Sequence, residues 1–173
     1  MGTVHGGPGR LEVPDGCSRH ATDATQATDR LGVAMEGCLF CEIAAGARPA
    51  WLVHADDTVV AFLDTRPVFP GHVLVVPREH VPTLHDLPTD AVGGYFQQVQ
   101  RIAGAVESAM SAQGTFVALN NKISQSVPHL HTHVVPRSKG DGLRGFFWPR
   151  TKYADDDQAR KHADAIAAAL AAA

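Results

Sequence analysis

The most regular alternation in the chain runs His129-Leu130-His131-Thr132-His133-Val134-Val135, where imidazoles and mostly apolar side chains take turns. A period of two belongs to a β-strand, whose successive side chains point to opposite faces. His129, His131 and His133 are therefore predicted to share one face, with Leu130, Val134 and, less comfortably, Thr132 facing a core. Pro136 cannot donate to a ladder and is predicted to end the strand. Residues 51–54 and 58–63 read as two more strands, joined by a turn at Asp56-Asp57. Residues 72–77 are apolar on both faces, which predicts a central strand, and residues 115–119 form another. Between these the period lengthens to that of a helix. Leu87-Pro88-Thr89-Asp90 opens it, and Val92, Tyr95, Phe96, Val99, Ile102, Ala103, Val106 and Met110 form its predicted buried stripe. Gly93, Gly94 and Gly104 weaken it and suggest close packing, and Gly114 reads as its stop. Residues 155–173, acidic at the start and rich in Ala, read as a terminal helix. Strands, one long central helix, then strands with short links predict an α+β fold with a mainly antiparallel five-stranded sheet.

Length and composition narrow the class. The 173 residues suit one domain with a real core, and the net charge of −3 gives no case for binding a nucleic-acid polymer. No apolar run is long enough to span a membrane, and no Gly-x-Gly-x-x-Gly phosphate loop or internal repeat is present. Three Cys (Cys17, Cys38, Cys41) without a secretory signal point to a reducing compartment, hence the cytoplasm. Residues 1–34, rich in Gly, Thr, Asp and Ala, are expected to form a disordered tail, with residues 35–173 as the folded domain. Met35 is a candidate true start, residues 1–34 then being a gene-model extension.

Three imidazoles in five residues carry the chemistry. A solvent-facing polar strand would mix in Lys, Glu or Thr on that face, and none alternates with them. Metal binding by His-x-His and nucleophilic catalysis by a neutral imidazole both fit the spacing. Cys38-Leu39-Phe40-Cys41 is a zinc half-site, a redox pair or two core residues; His80 and His129 are candidate partners in a Cys2His2 set. Asp64, at a strand end before the loop Thr65-Arg66-Pro67, is either a ligand carboxylate or a turn cap. After Pro136 comes a basic loop and then Phe146-Phe147-Trp148, an aromatic run that needs a core, pocket or partner.

Taken together, Gln125-Ser126-Val127-Pro128-His129-Leu130-His131-Thr132-His133-Val134 resembles the signature of the histidine-triad (HIT) family. Pro70-Gly71-His72-Val73-Leu74-Val75-Val76-Pro77 with Asp64, and Cys38-Leu39-Phe40-Cys41-Glu42-Ile43, are similar to its ribose-binding strand and to the opening of its zinc-containing, bacterial-type branch. The likeness covers roughly residues 37–150. It implies a nucleotidyl hydrolase acting on adenosine 5′-phosphate derivatives (a dinucleoside polyphosphate, phosphoramidate or adenylate) that releases NMP. By that resemblance His131 is the nucleophile; His133 and Gln125 hold phosphate oxygens; Ser126 assists the leaving group. Asp64 binds the ribose, and Phe40, Ile43 and Leu63 line the base pocket. His72 supports the triad, and Asn120, Lys122 and Trp148 reach the substrate. Cys38, Cys41, His80 and His129 bind a structural Zn2+, and the partners are a purine nucleotide and a second copy in a homodimer.

The link at residues 120–124 departs from the family pattern, with Ser124 where Gly is usual, and leaves the leaving group open. Lys122 in it is placed to reach a polyphosphate chain. Three alternatives remain. A phosphorylase or nucleotidyltransferase would open the same intermediate with another acceptor. A non-enzymatic nucleotide- or protein-binding module would not need a nucleophile. A three-His metal protein would carry more than one metal per chain.

Overall fold

The computed structural model describes residues 35–143 and 152–171. The expected tail at 1–34 and the aromatic run with Trp148 lie outside the described residues.

Five strands form one antiparallel sheet: β1 (Leu52–Ala55), β2 (Val59–Leu63), β3 (Val73–Pro77), β4 (Gly114–Leu119) and β5 (Thr132–Arg137), in the spatial order β1-β2-β3-β5-β4. The predicted α+β architecture is the one observed. β3, buried at every position, is the middle strand as its two apolar faces require. The β1–β2 turn is held by Asp56, whose Oδ1 accepts from the Thr58 and Val59 amides at 2.8 Å each.

Helix α2 (Thr89–Ala109) covers one face of the sheet. Tyr95, Val99, Ile102 and Val106 are its buried stripe, packed on Val59, Ala61, Val73, Val75, Leu130 and Val134. Phe96 and Met110, predicted in that stripe, lie outside the buried core instead, 36% and 43% exposed. Phe96 stands 100° round the helix from Tyr95, off the line of closest approach. Gly93, Gly94 and Gly104 face open space, so they do not mark close packing. The helix stops before Gly114, which begins β4: Met110 caps it and Ser111, at φ 51°, takes the left-handed turn.

The opposite face carries α1 (Leu39–Ala44), a helix that the sequence reading did not predict. Its Phe40, Cys41 and Ile43 pack on Val60, Phe62, Leu74 and Val76. Six residues are too few for a legible period. The C-terminal helix α3 (Asp156–Ala171) forms as predicted and buries none of its residues.

The histidine strand differs from expectation at both ends. β5 begins at Thr132, so His129, Leu130 and His131 precede it, His129 in a bend whose amide donates to the Val127 carbonyl at 2.8 Å, and the strand continues through Pro136 to Arg137. Proline is tolerated there because β3 pairs only as far as Val134, leaving one side of the strand without a ladder. The alternation still holds. Leu130 and Val134 join the α2 core, and Thr132 is accommodated by the Tyr95 hydroxyl at 2.8 Å.

Candidate active site and metal centre

All three histidines of the motif lie on the α1 side. Phe40 stands edge-on to His129 and His131, with ring centroids 6.0 and 5.2 Å apart, and His131 and His133 are 5.0 Å apart. The segment serves two neighbouring sites.

The first is a closed cluster. The ligand atoms of Cys38, Cys41, His80 and His129 all lie within 4.8 Å of one another. Cys38 Sγ and Cys41 Sγ are each 3.5 Å from His129 Nδ1, and Cys41 Sγ is 3.3 Å from His80 Nδ1. Bonds of about 2.0–2.3 Å to a tetrahedral ion put its ligands roughly 3.3–3.8 Å apart, so the donor set fits such an ion. The tautomer fits too. His129 Nε2 is 2.9 Å from the Pro77 carbonyl, which can only accept, so Nε2 carries the proton and Nδ1 offers its lone pair to the cluster. Burial pushes the His129 ring down to about 4, keeping it neutral. Burial also pushes the Cys41 thiol up, and a bound cation would reverse that.

The second is a cleft of about 1140 Å³ walled by α1, the loop after it, the β2–β3 loop and the motif. His131, His133, Ser126, Asp64, Phe40, Ile43 and Leu63 all line it. His131 Nδ1 donates to the His129 carbonyl at 2.7 Å, which makes Nε2 the lone-pair nitrogen of the neutral ring. Behind it runs a second fixed chain. The Val68 amide donates to His72 Nδ1 at 3.3 Å, so His72 Nε2 donates to His133 Nδ1 at 3.0 Å and His133 Nε2 keeps a proton to donate. Burial first, then the neighbouring His131, pushes the His133 ring down to about 4. Burial lowers His72 as well, against the opposing pull of Asp64, whose Oδ2 is 3.5 Å from its Nδ1.

Other expected residues stand elsewhere. His72 is buried behind His133, outside the cleft wall. Gln125 is turned away from the cleft: its Oε1 accepts from the Lys122 amide at 2.8 Å and its Nε2 donates to the Pro82 carbonyl at 2.6 Å. A weaker contact, 3.5 Å, reaches the His129 carbonyl. Asn120 donates to the Ser124 carbonyl at 3.4 Å, and neither it nor the exposed Lys122 lines the cleft. The sequence reading missed Trp51, Arg48 and Arg66, which do line it. An indole just before an edge strand, flanked by two more apolar residues, was the available signal.

Two histidines and a carboxylate thus line one cleft beside a Cys2His2 cluster, on an antiparallel α+β scaffold. Residues 45–140 match the family model described as HIT domain. Protein hit from Bacillus subtilis is 40% identical over 124 residues, covering 70% of this chain and 83% of that one. The crystal structure of SMU.412c from Streptococcus mutans aligns with TM-score 0.74 at 32% identity, over 81% of this chain and 89% of that chain. A Zn-bound histidine triad family protein from Mycobacterium smegmatis aligns with TM-score 0.59 at 35% identity, over 79% of this chain and 98% of that chain. The chain belongs to the HIT family. Two named enzymes match over shorter stretches. Adenylylsulfatase HINT3 of Arabidopsis thaliana is 33% identical over 108 residues, 61% of this chain and 55% of that protein. The asymmetrical bis(5′-nucleosyl)-tetraphosphatase of Schizosaccharomyces pombe is 36% identical over 83 residues, 47% of this chain and 46% of that one.

Proposed function

We propose that this protein is a nucleotidyl hydrolase of adenosine 5′-phosphate derivatives, working through a nucleotidyl-His131 intermediate. The observation that carries this reading is the His131 tautomer, with Nδ1 tied to the His129 carbonyl and Nε2 left as a lone pair in the cleft. In the first step Nε2 forms a bond to the α-phosphorus and the bond to the leaving group breaks, giving a nucleotidyl-imidazolium, while the leaving group takes a proton from solvent water relayed by the Ser126 hydroxyl; the second step returns that proton when the attacking water loses its own. His133, a neutral ring donating from Nε2, hydrogen-bonds a phosphate oxygen and stabilises the charge developing there. In the second step water breaks the P–N bond, releasing AMP and restoring the neutral imidazole. Asp64 holds the ribose hydroxyls while Phe40, Ile43 and Leu63 take the base. The two named enzyme relatives act on nucleotides with different leaving groups, which supports the reaction class and leaves the leaving group to experiment.

The ion we propose for the Cys38, Cys41, His80 and His129 set is zinc, as in the zinc-bound relative. Its contribution is structural: it would tie α1 to the loop after β3 and to the chain before β5. We also propose a homodimer through the edge strand β4, where half the strand's ladder is open, and residence in the cytoplasm, where Cys38 and Cys41 stay reduced. No helix among the described residues is long and apolar enough to cross a membrane.

The test is brief incubation with diadenosine tetraphosphate and, separately, adenosine phosphoramidate, followed by quenched mass spectrometry of the His131 peptide. AMP release with a transient adenylyl adduct there supports the reading; turnover without an adduct at His131 refutes the nucleophile. Loss of AMP in favour of ADP when phosphate is added would make the enzyme a phosphorylase.

A further inference from the structure

The cleft has a wall that the catalytic reading leaves unused. Trp51 lines it together with Phe40, Ile43 and Leu63, yet the residue is 66% exposed. The Trp51 carbonyl accepts from the Leu63 amide at 2.9 Å, which ties its backbone to the residue before Asp64, and Trp51 and Asp64 both line the cleft. Immediately after it the β1–β2 register slips between Leu52 and His54, an irregularity of the kind that re-aims side chains beside functional sites. An indole on a concave wall that packs on so little of its own chain offers a large flat apolar face to a ligand. We infer that Trp51 is a specificity-determining residue whose indole stacks on the nucleobase held by Phe40, Ile43 and Leu63, favouring two-ring purines over one-ring pyrimidines. This inference rests on the nucleotide reading above. Purines overlap the indole over both rings, and loss of one base–aromatic stack weakens binding on the order of tenfold.

The experiment is calorimetric titration of AMP and UMP into the wild-type protein, Trp51→Phe and Trp51→Ala, with tryptophan emission followed in parallel. Wild type should bind AMP about tenfold more tightly than UMP. Trp51→Ala should lose about that factor for AMP, less than about twofold for UMP, and Trp51→Phe should keep most of it. AMP should quench wild-type emission more than that of Trp51→Phe, which retains Trp148. An AMP affinity unchanged in Trp51→Ala, with wild type binding AMP, overturns the stacking role and leaves the nucleotide reading standing. Wild type that binds neither nucleotide overturns the nucleotide reading itself. Wild-type emission that shifts with protein concentration and ignores AMP would mean the exposed Trp51-Leu52-Val53 edge is covered by another chain, and would also overturn the inference.

Discussion

The two faces of the sheet are made by the same strands and do opposite things. Toward α2, Leu130, Thr132 and Val134 enter an apolar core in which the Tyr95 hydroxyl and Thr132 are matched: the hydroxyl donates to the Val75 carbonyl at 2.9 Å and meets Thr132 at 2.8 Å. Toward α1, the alternate residues His129, His131 and His133 meet thiols, other imidazoles and a cleft. The difference lies in the covering helix. α2 has 21 residues and spans the sheet; α1 has six and covers only part of it. A short cover leaves room for a substrate, and alternation lets one strand be structural on one side and chemical on the other.

Substitutions can separate the two faces. The largest expected effect is on the chemical side: His131→Ala or His131→Asn should lower turnover of diadenosine tetraphosphate at least about a thousandfold while AMP affinity and Tm stay near wild type. Single-turnover kinetics with calorimetry checks this, and retained turnover would remove His131 as nucleophile. Next, Cys38→Ser should cost roughly 3 kcal/mol or more and most of the bound zinc, with a smaller effect on chemistry per folded molecule. Elemental analysis and urea unfolding measure both; unchanged metal content would end the zinc assignment. On the α2 face, Tyr95→Phe should cost about 1–3 kcal/mol, because it strands the Val75 carbonyl and the Thr132 hydroxyl, with kcat/KM unchanged. A loss of catalysis matching the loss of stability would mean the faces are not independent.

A pH series sharpens the comparison further. The His133 ring titrates near 4 in the fold against 6.5 unfolded. Between those values the unfolded chain holds a proton that the native protein lacks, so stability falls as pH drops from about 6.5 toward about 4. His133→Asn should flatten that slope in urea midpoints; an identical slope would show that His133 carries none of it. The smallest effect concerns the loop beside the cleft, where Lys122 and Ser124 sit at φ 69° and 61°. Ser124→Gly should stabilise by up to about 1 kcal/mol by relieving a left-handed residue with a Cβ, read as a rise in Tm.

The sheet was legible because β-strands alternate and α2 repeats over many turns. The Cys2His2 cluster and the cleft positions of Asp64, Ser126, His131 and His133 were legible because the motif and its flanks are specific. What the sequence hid was short-range or three-dimensional. Six residues cannot display a helical period, so α1 went unseen. A side-chain amide gives no sign of which way it turns, so Gln125 was expected at the phosphate and instead braces the loop at Lys122. Phe96 and Met110 kept the helical spacing but sat just outside the contact line. Trp51 belongs to no motif, and its place in the cleft wall shows only in three dimensions.

His129 has one further consequence. Its ring faces the Cys2His2 cluster while its carbonyl holds the proton of the His131 ring. A single residue thus belongs to two binding equilibria, and thermodynamic reciprocity requires that if occupancy of one site shifts affinity at the other, the reverse shift is equal. With positive coupling, removing the proposed ion would weaken nucleotide affinity, and bound nucleotide would raise affinity for the ion by the same factor.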